Sequence, residues 1–276
     1  MLLADFRKPN MKTTINEHID TIKAETHQQQ EISPQNLQIE RGETQRNVNQ
    51  TILNNLVKKF HKEQAISVLD LPCGDLLFLG YLKKLFPNAS ILGADIMTPK
   101  PKMDIDFVQM DLTKEFEISR EEQFDLITSI SGVMMFGNTH GFIENCASRL
   151  KPNGTLVITN DNSMTMMDRI RYMVLGRVRM FNPIYEDNES MTQNIPVMEL
   201  IRLMRIHGIR IEKIEYTSLY RRDLLYLPLA LIIYPLQYLY LNGIRAGLPR
   251  YIIKQAYPFK HLFCRHYVIT GQKPKR

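Results

Sequence analysis

Asp70 and Asp75 bracket a short turn, Asp70-Leu71-Pro72-Cys73-Gly74-Asp75, and Asp95 lies 20 residues beyond it. Asp70 and Asp95 each close an apolar run. A strand, a tight turn and a helix aim backbone N–H groups at the carboxyl edge of a parallel sheet, where ligands bind. An acid at the end of the next strand accepts hydrogen bonds from ribose hydroxyls. That spacing fits a nicotinamide enzyme equally well, and the residue types decide. A pyrophosphate needs bare backbone, as in G-x-G-x-x-G, whereas this turn has one glycine, Gly74, between carboxylates. Carboxylates there repel a pyrophosphate and suit a cationic ligand with an ammonium and a sulfonium.

Two further groups are candidates for proton transfer. An alcohol is a poor nucleophile until it is deprotonated, so a base is expected near the site. His140 follows the run Phe124–Ile130, and Asp161 follows Thr155–Thr159. Either is expected to act as base or positioning group. His207 precedes Gly208 at a helix end, where a cation favours the dipole, and is not counted as catalytic. The cysteines Cys73, Cys146 and Cys264 are odd in number, which argues against a disulfide framework and for a reducing compartment. Cys146 and Cys264 have no metal-ligand spacing, and no metal is expected.

These residues need elements to hold them. Residues 1–43 are polar and read as a loosely held arm, with Met1 and Met11 as alternative starts and no secretory signal expected. Val48, Ile52, Leu56 and Phe60 recur at four-residue steps and predict an amphipathic helix. Strands are predicted over 66–71, 90–96, 106–110, 124–130, 155–159, 209–216 and 266–271. Helices are predicted over 76–86, 139–150 and 196–207, with Lys151-Pro152-Asn153-Gly154 as a turn and Gly208 as a C-cap. Apolar strands alternating with helices imply an α/β fold, a mostly parallel sheet covered on both faces.

At this point the chain resembles the class I, Rossmann-like, S-adenosylmethionine-dependent methyltransferases. Val68–Asp75 is similar to their first motif, Leu92–Ile96 to the second, Phe107–Leu112 to the third, Phe124–Ile127 to the fourth and Leu150–Leu156 to the fifth. The resemblance covers about residues 44–218 and 265–271 and implies seven strands, the last antiparallel. It implies S-adenosylmethionine as cofactor. Asp70, Leu71, Pro72, Cys73, Gly74 and Asp75 would hold the methionine moiety, Asp95 the ribose, and Ile96 and Asp111 the adenine, with Leu112 and Ser129 beside them. Leu76 stands where many members carry another glycine. Asn182-Pro183-Ile184-Tyr185 resembles the Asn-Pro-Pro-Tyr of enzymes that methylate base or glutamine nitrogens, but that signature follows strand four, so it reads as a loop. Pro72-Cys73 resembles a cytosine-C5 nucleophile dipeptide, yet it sits in the cofactor turn, away from any substrate ring.

Residues 219–276 hold ten Lys/Arg and one acid, a charge of +9 against −3 for residues 1–218. Leu224–Leu241 is eighteen residues without a charge, close to a membrane span. Strands six and seven are expected to be neighbours, so the chain must return to the side it left, and a single crossing is excluded. A helical hairpin bent at Asn242-Gly243 and dipping into one leaflet is expected instead, with tyrosines at headgroup level. Arg221, Arg222, Arg245, Arg250 and Lys254 would meet anionic lipid. The two strands are then expected to pair through a tight hairpin if residues 224–260 are removed. The expectation is an O-methyltransferase acting on a small-molecule, lipid or lipid-linked glycan acceptor, cytoplasmic and peripheral (monotopic) at the inner face of a membrane. The segment 221–262 is the contact surface, for lipid or for a homodimer. An RNA methyltransferase would use the basic tail on phosphates, but that tail is interleaved with aliphatic runs. A non-catalytic cofactor-binding scaffold is the other alternative.

Overall fold

A computed structural model describes residues 33–99, 103–119, 121–181, 184, 193–244 and 247–275. The chain divides into two compact units, 1–38 and 39–276. Of the first, residues 33–38 are described, a turn in which the Asn36 amide donates to the Ser33 carbonyl. Residues 1–32 of the polar arm, Asn182, Pro183, Tyr185 and Arg245 lie outside the described residues.

The second unit begins with α1 (Val48–Lys59), whose four-residue periodicity is realised: Val48, Ile52, Leu53 and Leu56 are buried. There follow β1 (Ser67–Asp70), α2 (Leu77–Leu85), β2 (Ser90–Asp95), β3 (Asp106–Gln109), β4 (Phe124–Ile130), α3 (Thr139–Arg149) and β5 (Leu150–Asp161). Then come α4 (Met166–Leu175), α5 (Val197–Ile206), β6 (Arg210–Thr217), α6 (Leu227–Gly243), α7 (Arg250–Ala256) and β7 (His266–Gln272). The seven strands form one sheet in the order β3-β2-β1-β4-β5-β7-β6. β1 to β5 are parallel, and β7 runs antiparallel between β5 and β6. Fold class, strand number and the antiparallel end are as the sequence predicts. The order reverses direction between β1 and β4, which opens a crevice at their carboxyl ends. Asp70, Asp95, Ile130 and Asp161 all end strands at this edge, and antiparallel β7 starts there with His266 opposite Asp161.

Three elements differ from expectation. β5 begins at Leu150 and runs through the predicted turn, because Asn153 donates to the Lys273 carbonyl and Lys273 to that of Gly154. Long-range pairing overrides the local Pro-Asn-Gly signal. The helix α4 was not anticipated, although Thr165 caps it by accepting from the Asp168 amide and Gly176 ends it at φ 65°.

The third is the segment between β6 and β7. It contains a 3₁₀ turn (Arg221–Tyr226) running into α6, which ends at the expected Asn242-Gly243, but among the described residues only this first arm is an apolar exposed helix. α6 stands nearly free: only Ala230 is buried, against Met166, Leu262 and Phe263. By contrast α7 packs back on β6. Ile252 and Ala256 enter the main core, the Tyr216 hydroxyl donates to the Ala256 carbonyl, and Gln255 accepts from the Ile214 amide. Residues 224–260 are therefore not a dispensable excursion, since cutting them removes part of the core.

Candidate functional site

The turn after β1 is fixed by backbone bonds to both neighbouring strands. The Leu71 amide donates to the Thr128 carbonyl at 2.9 Å and the Cys73 amide to that of Ala94 at 3.0 Å. Gly74 sits at φ 51° and its amide donates to Asp95 Oδ2 at 3.0 Å. Asp75 Oδ1 accepts from the Leu77 amide at 3.0 Å and starts α2. Leu76, the departure from the family's glycine, adopts φ 63° all the same, the left-handed conformation that glycine takes without strain. Its side chain is buried, so packing offsets that strain. Beyond β4, a Cβ on Gly132 would lie 2.1 Å from Pro72 Cδ. Only glycine allows the β4 loop to close on the turn.

A cleft of about 570 Å³, counted to its open mouth, lies over this turn. Asp70, Pro72, Cys73, Gly74 and Asp75 line it together with Arg41, Glu43, Thr44, Ser131 and Met135. Its electrostatics are lopsided. Burial pushes Asp70 up to about 7, with nearby Asp95 adding to the rise and a 2.6 Å hydrogen bond from the Thr128 hydroxyl opposing it. Glu43 is raised by burial and by Asp75 and Asp95. Burial and the same acids push the Cys73 thiol up, so it stays protonated and is no nucleophile. Among the described residues none of Glu43, Asp70, Asp75 and Asp95 makes an ion pair. Such a surplus of negative charge fits a cationic group in the cleft.

The other predicted residues are spread more widely. Asp95 keeps lone pairs to spare, with Oδ1 bonded only to the Met97 amide. Ile96 is 60% exposed beside it, open to a flat ligand. Asp111 is tied into its own turn by Thr113 and Lys114, which hold its carboxyl at about 2. Leu112 belongs to the hydrophobic core, as does Leu71. Ser129 is wholly buried within β4, its hydroxyl without a hydrogen-bond partner among the described residues. Ser131, two residues on, is the serine that reaches the cleft.

His140 is exposed on the first turn of α3 and lines a separate groove with Gln193 and Glu199. Its ring meets His207 edge-on at 4.7 Å, and their ring nitrogens and the Glu144 carboxylate lie within 4.8 Å of one another. Asp161 is buried at the sheet edge, where Arg179 Nη2 reaches its Oδ1 at 3.2 Å and His266 Nδ1 stands 3.7 Å away. Sequence reasoning missed Glu43, Thr44, Ser131 and His266. No local pattern marks them, because they come from three distant segments, 43–44, 131 and 266, that only the folded sheet brings together.

Comparison with known proteins bears on the family and the fold. A model of the methyltransferase domain matches residues 42–218. A malonyl-[acyl-carrier protein] O-methyltransferase from Priestia megaterium (strain DSM 319 / IMG 1521) is 28% identical over 132 residues. The match takes in 46% of this chain and 48% of that protein, so the chain spans about half the length of the curated relative it matches. An S-adenosylmethionine-dependent methyltransferase from Archaeoglobus fulgidus has the same fold, with 14% identity, a TM-score of 0.51, and 81% of this chain and 94% of that one covered. A didemethyltoxoflavin N1-methyltransferase from Burkholderia thailandensis, solved with S-adenosylhomocysteine, covers 99% of this chain and 94% of its own, at 10% identity and a TM-score of 0.50. With a family match over most of its length and the fold to go with it, the chain belongs to the Rossmann-like, S-adenosylmethionine-dependent methyltransferases.

Proposed function

We propose that the protein transfers a methyl group from S-adenosylmethionine to an oxygen of a lipid or lipid-linked acceptor at a membrane surface. The observation that carries methyl transfer is the convergence of Glu43, Asp70, Asp75 and Asp95 on the Gly74 turn with no cation paired to them among the described residues. Asp70, Asp75 and Glu43 would face the ammonium and sulfonium, Asp95 the ribose and Ile96 the adenine. When bound, the cofactor supplies an electrophilic methyl group. The chain's residues position the acceptor against it and exclude water.

The membrane half of the reading rests on α6. Arg221–Gly243 is long and apolar enough to cross a bilayer, and its most apolar stretch is only 6% buried. Leu225, Ile232, Leu236, Leu239 and Tyr240 are exposed on it, and α4 adds Tyr172, Met173, Val174 and Leu175. Apolar surface on this scale exceeds what a free monomer ordinarily presents. Since β6 and β7 are paired neighbours, the helix lies on or in one leaflet without carrying the chain across. Exposed Arg221, Arg222, Arg250 and Lys254 flank it and suit anionic headgroups, each contributing about 1 kcal/mol near such a surface. RNA binding fits less well, because these charges border an apolar face.

The test is flotation with anionic vesicles, then incorporation of labelled methyl from S-adenosylmethionine into a lipid extract. Flotation that weakens but persists in high salt, with label in the lipid, is the expected result. A monomer that ignores vesicles overturns the membrane reading. A stable dimer that ignores them assigns α6 to a second copy, and cofactor bound without transfer to any extract makes the chain a scaffold.

A further inference from the structure

We propose that Ser131, His266 and Asp161 form a proton relay that deprotonates a neutral hydroxyl acceptor; the proposal rests on the methyl-transfer reading and names its acceptor class. Ser131 lines the cofactor cleft just beyond β4 and is held at φ 58°. That left-handed backbone is strained for serine and fixes where its hydroxyl points. Its amide donates to Thr159 Oγ1 at 3.0 Å, which anchors it to β5. Its Oγ meets Thr44 Oγ1 at 2.6 Å on the cleft side and His266 Nε2 at 3.3 Å on the sheet side.

His266 is wholly buried, the first residue of β7, between Asp161 on β5 and Thr217 on β6. Its Nδ1 has no hydrogen bond among the described residues, and the nearest acid oxygen is Asp161 Oδ1 at 3.7 Å. A proton on Nδ1 lies beside that carboxylate, which leaves Nε2 bare to accept from the Ser131 hydroxyl. The other charged groups about it are already matched: Arg179 holds Asp161, and Arg265 is paired with Asp223. Toward β4 it meets the hydroxyl of Ser131.

A serine oxygen has two lone pairs, so Ser131 can accept from Thr44 and from an incoming acceptor at once. In the proposed step the acceptor O–H bond breaks as its oxygen takes the methyl group supplied by the cofactor. The acceptor proton passes to Ser131 Oγ, and the Ser131 proton passes to His266 Nε2. The resulting imidazolium is stabilised beside Asp161 and returns its proton through Ser131 to water when product leaves. A carboxylate acceptor has no proton to lose and would make the relay idle. The arrangement therefore selects an alcohol, such as a lipid or glycan hydroxyl. Asp161 keeps a role at the site, holding His266 without touching the acceptor.

Ring-nitrogen NMR of the full chain saturated with S-adenosylhomocysteine tests the first link. The expected signal is His266 protonated on Nδ1 and bare on Nε2. A proton on Nε2 overturns the relay, because His266 would then donate to Ser131 and could not take its proton. Labelled methyl incorporation into lipid extract at saturating S-adenosylmethionine, between about pH 6 and about pH 9, tests the second. His266→Gln should lose roughly 10²–10⁴ in rate together with the rising limb of the pH profile, at unchanged S-adenosylhomocysteine affinity. Ser131→Ala, the milder change, should show the same two losses. A normal profile in either folded variant overturns the relay. Wild-type protein that labels nothing refutes the proposed function instead, and the tautomer still decides whether the relay exists.

Discussion

The acids of this protein fall into two groups, at opposite ends of the same sheet edge. Over β1 and β2, Glu43, Asp70 and Asp75 line one cleft and Asp95 is bonded to its turn, none of them in an ion pair among the described residues, and burial raises the pKa of Asp70 and Glu43. Over β5 and β7, every buried acid has an arginine: Asp161 and Asp168 share Arg179, and Asp223 meets Arg265 through two hydrogen bonds. Both regions bury carboxylates, which is costly unless the charge is matched. The second region matches it internally: there Asp168 and Asp223 are architecture, and Asp161, held by Arg179, also stands beside His266. In the first, the match is left to a ligand. An unmatched acid cluster at the sheet edge is thus the stronger functional signal, although a buried ion pair draws the eye first.

The contrast can be broken from either side. The largest effect is expected from the paired region: Asp223→Ala strands a buried guanidinium and should cost about 3–5 kcal/mol, read from urea unfolding. A loss below about 1 kcal/mol would mean the pair is not architectural. In the unmatched region, Asp95→Ala should weaken S-adenosylmethionine binding by about 1.5–3 kcal/mol, roughly 10- to 150-fold. Unchanged affinity by calorimetry would remove Asp95 from the site.

Asp70→Asn should act in the opposite sense on stability. The folded protein holds the Asp70 proton up to about pH 7, whereas the unfolded chain loses it near 3.8. Between those values the folded state binds more protons, so this group lowers stability as pH rises and levels off above about 7. The variant should therefore melt higher than wild type, with the gain growing across that window while cofactor affinity falls. A lower melting temperature at pH 8 would contradict the unmatched-charge account. The smallest effect belongs to the surface: Arg202→Ala breaks only the exposed pair with Glu199 and should leave the urea midpoint unchanged.

The same contrast explains what was legible in the sequence. The turn Asp70–Asp75 is readable because local residues set its backbone, and even Leu76 keeps the glycine-like φ that the motif requires. The sheet is readable because apolar runs punctuated by turns leave few arrangements. Asp161, placed correctly at the edge, could not be seen to belong to an ion pair, since Arg179 lies 18 residues away with no periodic link. His266 shows in the sequence only as the start of a strand, because its meeting with Ser131 spans 135 residues. The helix α7 was absorbed into an apolar hairpin, because its burial depends on β6 and not on its own composition. By contrast the signals for α4 are local, the Thr165 cap, Asp168 in the first turn and Gly176 at the end.

The central claim is that a cation completes the acid cleft, and calorimetry of S-adenosylmethionine binding in buffers of different ionisation enthalpy tests it most directly. A cation beside Asp70 lowers its pKa, so binding below about pH 7 must expel a proton. The account predicts net proton release between about pH 6 and about pH 7 and an affinity that rises with pH across that window, both lost in Asp70→Asn. Binding with no proton release, or an affinity that falls as pH rises, would contradict it.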